Sequence, residues 1–324
     1  MELNLARQPL LVAIFTLLLL IVVASLCSGS VFESVGISSV LGCYVDNFQA
    51  TYPTLSRVFS AAALFVTGLL VGRLTVKYGL YAAGSCLAIP LYGILVCGLD
   101  FGKIPLTVCV ASLLLARSAK NYYSGFRTGN YGFDGFFRAS FDLGLIPLLY
   151  APALPLMLIL PLAIVVFKRA AREFIVAIAG LLLPLLAVCY LTWGFGGSFC
   201  APLEILLHAF LQQNGSSIFA ALAPMSWILF GILLVGVVCS VVFYVRDRYS
   251  ASTKSRLIFL FNIGAFLLTI SLFFVSGANA GVAAFAAVPM AMLLPITFVR
   301  LRPLVSSVVY AGLLLLCLVY LILH

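Results

Sequence analysis

The sequence predicts an all-α protein, a polytopic bundle of helices that crosses a membrane many times. Two features of composition indicate this fold class: 64% of the residues are hydrophobic and only 8% are charged, whereas a soluble domain carries about 25% charged residues. The third observation is the length of the apolar runs. Most are continuous over roughly 17 to 22 residues, the length of a spanning helix, whereas a β-barrel alternates in segments of about ten residues.

Polar or glycine- and proline-rich breaks divide the chain into eleven predicted spans within a single integral membrane domain, residues 1–324. The fifth span is short and runs into Pro152 and Pro155, so 136–167 is expected to form a tight or re-entrant hairpin. The predicted spans are 10–26, 57–73, 79–98, 104–117, 136–150, 152–167, 174–194, 219–244, 257–276, 280–299 and 303–322. The main segments between them are an outer loop 27–56, an inner loop 118–135 and an outer interfacial amphipathic helix 201–213.

The distribution of basic residues predicts the orientation of the bundle. With the N-terminus in the cytoplasm, only Arg57 and Lys103 of the 18 Lys and Arg residues fall on the outer side, in agreement with the positive-inside rule. His324 then lies outside. The net charge of +9 is explained by anionic lipid head groups as partners, and no nucleic-acid partner is expected.

The outer loop contains the first candidate for chemistry. It carries Glu33 and Asp46, two of only nine acids in the chain. A carboxylate in such a loop can deprotonate an acceptor hydroxyl, or hold a divalent cation against a phosphate leaving group. The alternative is that Asp46-Asn47 is ordinary turn chemistry.

The outer amphipathic helix supplies two further candidates. Glu204, His208 and Gln212 recur every four residues and therefore line one helical face. We expect Glu204 and His208 either to face the same outer cavity as Asp46, or to form a solvated stripe on a helix that floats at the head groups.

Asp142 lies inside a predicted span, where an acid is a functional candidate by default. Its predicted partner is Arg138, four residues earlier, so that the two form an intramembrane ion pair. The pair is either a proton or substrate site, or a locally neutralised structural pair. The surrounding region 117–142 mixes basic and aromatic residues, which suits a lipid phosphate or nucleotide-like anion, and equally an interfacial anchor belt.

The nine cysteines show no metal-ligand spacing. Cys43 and Cys200 are both predicted on the outer side, where they either form a disulfide that ties the two outer segments together or remain free thiols. The small residues of 276–287 either let helices pack closely or leave room for a lipid tail.

Two stretches carry a resemblance to a known family. They are 136–154, FFRASFDLGLIPLLYAPAL, and 167–184, FKRAAREFIVAIAGLLLP, and in each a short signature (Arg138-Ala139-Ser140-Phe141, Arg172-Glu173-Phe174) opens an apolar helix. They resemble an uncharacterised family of polytopic inner-membrane proteins of Gram-negative bacteria, catalogued as a domain of unknown function. The resemblance implies an inner-membrane location and a multi-helix fold, and no activity or catalytic residue.

A looser architectural likeness is to polyprenol-dependent membrane glycosyltransferases. The leading hypothesis is therefore a transferase that acts on lipid-linked sugar at the outer leaflet, with Asp46 as base or metal ligand and Glu33, Glu204 and His208 assisting. A divalent cation is the cofactor that this likeness implies. The alternatives are a transporter or flippase whose path passes Asp142 and Arg138, and a structural or assembly subunit of an envelope complex.

Overall fold

The computed structural model describes residues 9–27, 39–80, 85–98, 104–127, 132–211, 224–246, 252–275 and 279–323, and these residues are helical almost throughout, with no strand among them. The helices are α1 (Leu10–Cys27), α2 (Gly42–Thr51), α3 (Pro53–Lys77), α4 (Ala88–Gly98), α5 (Leu106–Arg127), α6 (Phe133–Leu149), α7 (Ile159–Val166), α8 (Ala171–Gly194), α9 (Ala201–Leu211), α10 (Pro224–Arg246), α11 (Thr253–Ser271), α12 (Ala283–Leu293), α13 (Pro295–Arg300) and α14 (Pro303–Leu323).

Seven helical segments among the described residues are long and apolar enough to cross a membrane. They are Leu10–Cys27, Pro53–Lys77, Ala171–Gly194, Ser226–Arg246, Thr253–Phe274, Ala283–Arg300 and Pro303–Ile322. Three shorter apolar segments accompany them: Ala88–Gly98, Ala151–Val166 and Ala201–Leu211. The predicted all-α fold is thus confirmed among the described residues, and seven of its helical segments are candidates for membrane spans.

Proline determines how the hairpin of 136–167 turns. α6 ends at Leu149, and a 3-10 segment, Ala151–Leu158, leads into α7. Pro152 and Pro155 lie in that segment, and proline lacks the amide N–H that an α-helix interior uses. The chain therefore reverses at Tyr150, whose carbonyl accepts a hydrogen bond from the Ala153 amide at 3.0 Å.

Two short helices form the centre of the bundle. Every residue of α4 is buried, and so is every residue of α12. The small residues at the start of α12, from Ala283 to Ala287, lie wholly inside the protein, as close helix packing requires. A Cβ at Gly180 would come within 2.7 Å of the Phe137 carbonyl, so glycine is required where α8 crosses α6.

α2 lies across one end of the bundle, which we call the α2 end. The Leu41 amide donates to the Leu148 carbonyl at 2.9 Å, and the Leu106 amide donates to Gln49 Oε1 at 3.1 Å. These bonds hold α2 against the end of α6 and the start of α5. α3 leaves this end at Pro53 and, over 25 residues, reaches about 36 Å away, to Lys77.

The opposite end gathers most of the basic residues, and we call it the basic end. Its described members include Arg73, Lys77, Lys120, Arg138 and Arg169. α5 continues through 118–127, so the first half of the predicted inner loop 118–135 is helical. Similarly, 42–51 and 53–56 of the predicted outer loop 27–56 are helical. The predicted spans stop at polar residues, because such residues are disfavoured in the membrane core. A helix can continue through polar residues once it is outside the membrane, so the helices are longer than the predicted spans.

Candidate functional site

Asp46 lies on the side of α2 that packs on the bundle. Gly42, Asp46 and Gln49 recur at helical spacing, and Gly42 and Gln49 are buried. The hydrogen bond from Leu106 to Gln49 holds this face in place. Asp46 is itself half-buried at the margin of the face, so its carboxylate is partly withdrawn from solvent.

Burial raises the pKa of Asp46 from the usual 3.8 to about 6, because the charged form loses solvation. Among the described residues, no ion pair or hydrogen bond reaches its carboxylate to oppose this shift. A carboxylate that titrates near pH 6 is well suited to accept a proton at neutral pH.

An apolar pocket of about 510 Å³ opens beside α2, on the surface between α3 and α5. Its walls are almost wholly hydrocarbon, and Tyr44 at its rim is 74% exposed. A pocket of this kind on the outside of a membrane bundle can receive a lipid chain from the side. The lining residues are Tyr44, Val45, Phe48, Phe59, Ala62, Ala63, Val66, Leu106 and Val110.

Asp46 and the pocket occupy opposite flanks of α2. Val45 lines the pocket and Asp46 does not, because consecutive residues are about 100° apart around a helix. The polar group and the apolar pocket are thus neighbours across one narrow helix. A lipid in the pocket could present its head group to Asp46 only around the end or the rim of α2.

Glu204 and His208, the other candidates among the described residues, lie on a helix that packs on different elements from those that α2 contacts. Glu33 lies outside the described residues. Glu204 and His208 are exposed, on the side of α9 opposite its buried stripe of Pro202, Leu206 and Ala209. α9 packs on α8 and on the 3-10 segment Ala151–Leu158, whereas α2 packs on α3 and α5. This arrangement favours the solvated stripe over a shared cavity.

The predicted pair of Arg138 and Asp142 is wrong. Arg138 binds Asp134 at 2.8 Å, and Asp142 binds Arg117 Nε at 3.3 Å and accepts a hydrogen bond from Asn121 Nδ2 at 3.0 Å. The reason is helical rotation: each step of four residues turns about 40° around the axis. Asp134 and Arg138 therefore stay on the exposed face of α6, while Asp142, 2% exposed, reaches the face that packs on α5.

A second buried ion pair, which the sequence reasoning missed, lies at the basic end. Arg169 Nη1 is 3.4 Å from Glu173 Oε1, and Arg169 Nη2 donates to the Gly125 carbonyl at 2.9 Å. Both side chains are nearly covered, at 12% and 6% exposure. The sequence does contain a signal for this pair, because Arg169 and Glu173 are four residues apart and so can meet on one helical face. This pair ties α8 to the end of α5.

Aromatic and polar groups complete the packing of this end. The Arg169 guanidinium stacks near the rings of Phe126 and Phe136. The Tyr123 hydroxyl donates to Asn262 Oδ1 at 2.7 Å and so joins α5 to α11. These buried contacts indicate a rigid structural layer and leave little room for a substrate.

No metal centre is apparent among the described residues, since no three His, Cys, Asp or Glu side chains cluster there. Cys43 and Cys200 are both exposed free thiols, so of the two alternatives for this pair the structure shows the unbridged one. The chain matches no protein-family model, no curated protein and no solved structure.

Proposed function

We propose that the chain is a multi-pass inner-membrane protein that acts on a lipid-linked substrate at the α2 end. The substrate chain would lie in the apolar pocket between α3 and α5, and Asp46 would accept the proton of the attacking hydroxyl, as in a membrane glycosyltransferase. The hydroxyl oxygen would bond to the anomeric carbon of the sugar as the bond from that carbon to the lipid phosphate breaks, and the lipid phosphate would leave with the bonding electron pair. The observation that carries this proposal is the carboxylate with a pKa of about 6 on the helix that also walls a lateral apolar pocket.

Replacing Asp46 by Asn tests the proposed chemistry. The amide keeps the shape of the side chain and cannot accept a proton, so we expect transfer to fall by about 100-fold, measured as envelope glycan in a strain that depends on the variant. Asp134→Asn is the matched control, because Asp134 is an exposed acid with its own arginine. Membrane abundance should be unchanged in both variants. Full glycan in the Asp46 variant would leave the assembly-subunit hypothesis as the better one.

The pH profile gives an independent readout of the same residue. If Asp46 is the base, its ionised form is required, so activity should rise with pH through about 6 and level off above it. Asp46→Glu should keep a pH-dependent limb at reduced rate. A profile that is flat between pH 5 and 7 would argue against Asp46 as the base.

We also propose that the chain crosses the membrane eleven times with its N-terminus in the cytoplasm. Support comes from the ends of the helices: Leu106 and Leu148 lie at the α2 end, whereas Lys77, Lys120 and Arg169 lie at the basic end. This arrangement agrees with the positive-inside rule. A reporter fused at His324 should report the outer side, and one inserted at Lys168 should report the cytoplasm. A cytoplasmic signal at His324 would remove one span from the arrangement.

Transport of the lipid is a second candidate, favoured by one observation. Val66 lines both the pocket at the α2 end and a smaller cavity nearer the basic end, so the two follow one face of α3. A fluorescent polyprenyl phosphate in proteoliposomes distinguishes the candidates. A transporter moves the probe between leaflets without an acceptor sugar, whereas a transferase leaves the leaflet distribution unchanged.

A further inference from the structure

A small cavity of about 190 Å³ lies between α3 and α5 at the basic end. Its polar wall is made of Arg73, Lys77 and Lys120, and no acid lines it. Its apolar wall consists of Val66, Leu69, Leu70 and Leu74 and runs along α3 away from the basic end. The cavity is therefore amphipathic, with three cations at one end and hydrocarbon at the other.

Lys77 connects this cavity to a second one of about 430 Å³ at the same end. The second cavity is more polar, and Lys254, Ser252 and Ser255 contribute to its wall. Its shape is fixed by a hydrogen bond from Ser255 Oγ to the Gly79 carbonyl at 3.0 Å, which fastens the start of α11 to the turn after α3. Two adjoining cavities thus share one lysine, and four basic residues line them.

The described acids at the basic end, and Asp142 at the middle of α6, are already paired with other arginines. Asp134 binds Arg138, Asp142 binds Arg117, and Glu173 binds Arg169. Lys120 senses the charge of Asp142 at longer range, but none of the four cavity-lining cations lies within ion-pair distance of a described acid. Among the described residues, repulsion between these cations is therefore offset only by the more distant charge of Asp142 near Lys120, and an anionic ligand would relieve it.

We propose that these cavities bind one anionic glycerophospholipid from the leaflet at the basic end, at a site separate from the pocket beside α2. The phosphate lies among Arg73, Lys77 and Lys120. One acyl chain follows Leu69 and Leu70 toward Val66. The rest of the head group occupies the polar cavity near Lys254.

Two features favour a lipid over a free phosphate ion. The apolar wall continues directly from the cations, as in an amphipathic ligand with a chain attached to its charge. α3 also presents this wall on its exposed side, where Val66 is 46% exposed and a membrane lipid can approach laterally. The excess of cations favours an anionic over a zwitterionic head group.

The test is retention of lipid by the full-length protein, purified from nanodiscs that contain phosphatidylglycerol in phosphatidylcholine. Native mass spectrometry should show one phosphatidylglycerol that survives delipidation. The double variant Arg73→Gln/Lys120→Gln should bind it roughly 30-fold more weakly, since each charge near a membrane surface contributes about a factor of five. The matched control is Arg172→Gln/Arg302→Gln, which removes two exposed basic residues that line neither cavity, and it should retain the lipid.

Two further variants separate binding from folding. The single variant Lys120→Arg keeps the positive charge at this position. It should therefore retain the lipid as the wild-type protein does. Leu69→Trp fills the apolar wall and should expel the lipid although every cation remains. Equal retention of phosphatidylcholine, or equal loss in the Arg172/Arg302 control, would overturn the proposal. Competition by inorganic phosphate alone would show an ion site and would also overturn it. Asp46→Asn should keep the lipid, so a failure here is distinct from a failure of the proposed transfer chemistry.

Discussion

The two ends of the bundle differ in how their acids are compensated. At the basic end, Asp134 and Glu173 each have an arginine partner, and so does Asp142 at the middle of α6. At the α2 end, Asp46 has no cation among the described residues, and burial raises its pKa to about 6. A carboxylate that pairs with arginine is engaged in a structural contact. A carboxylate without one can exchange a proton near neutral pH, which is why function is sought at the α2 end.

These three ion pairs also form a series in exposure. Arg169–Glu173 is nearly covered, Arg117–Asp142 has one exposed and one buried side chain, and Arg138–Asp134 is exposed on both sides. Solvent screens exposed charges strongly, whereas a buried charge that loses its partner is left without compensation. The pairs should therefore contribute to stability in that order, and single substitutions can test the order.

The largest effect is expected for Arg169→Met. The substitution leaves Glu173 buried without its cation and removes the hydrogen bond to the Gly125 carbonyl. We expect a loss of about 3–5 kcal/mol in the free energy of unfolding, measured by thermal or denaturant unfolding in detergent. Adding Glu173→Leu should recover much of that loss. Arg172→Met, at the exposed neighbouring position, is the control and should be close to wild type.

Arg117→Met is expected to have an intermediate effect. Asp142 is 2% exposed and would retain only its hydrogen bond from Asn121, but the Arg117 side chain is 59% exposed. Because solvent already screens that charge, the loss should be about 1–2 kcal/mol. Asp142→Asn should cost less, since the Arg117 it releases can be solvated. If both substitutions cost the same, the asymmetry in burial has no energetic consequence.

Asp46 should make the free energy of unfolding depend on pH. Its folded pKa of about 6 lies above its ordinary value of 3.8, so the folded state binds the proton more tightly than the unfolded state. The resulting stabilisation is fully present below about pH 4 and is lost as the pH rises through about 6. Asp46→Asn should abolish this dependence and be more stable than wild type at pH 7, by about 1 kcal/mol once solvent screening is discounted. The measurement is the unfolding temperature of the wild-type protein and of Asp46→Asn between about pH 4 and pH 7.

The sequence could predict features formed by residues close together in the chain, and could not predict contacts between residues far apart in it. Apolar runs of spanning length predicted the helical fold, and Pro152 and Pro155 predicted the reversal near Tyr150, since both signals are local. The partner of Asp142 was not predictable in this way. Arg117 is 25 residues earlier on another helix, and its contact depends on how α5 packs on α6. The basic cavity likewise joins α3 and α5, which are far apart in sequence.

Arg138→Met should have the smallest effect, and it tests the interpretation most directly. In the pairing that sequence spacing predicted, Arg138 neutralises Asp142, so its loss would strand a buried carboxylate and cost as much as the loss of Arg117. In the structure, Arg138 binds Asp134, and the two side chains are 66% and 74% exposed. Such a pair contributes less than about 0.5 kcal/mol, because solvent screens it and ordering two side chains costs entropy. Unfolding of Arg138→Met and Arg117→Met under identical conditions therefore distinguishes the two partners of Asp142. If Arg138→Met and Arg117→Met lower the free energy of unfolding equally, Arg138 is the partner of Asp142. The packing of α5 on α6 that places Arg117 beside Asp142 would then be wrong.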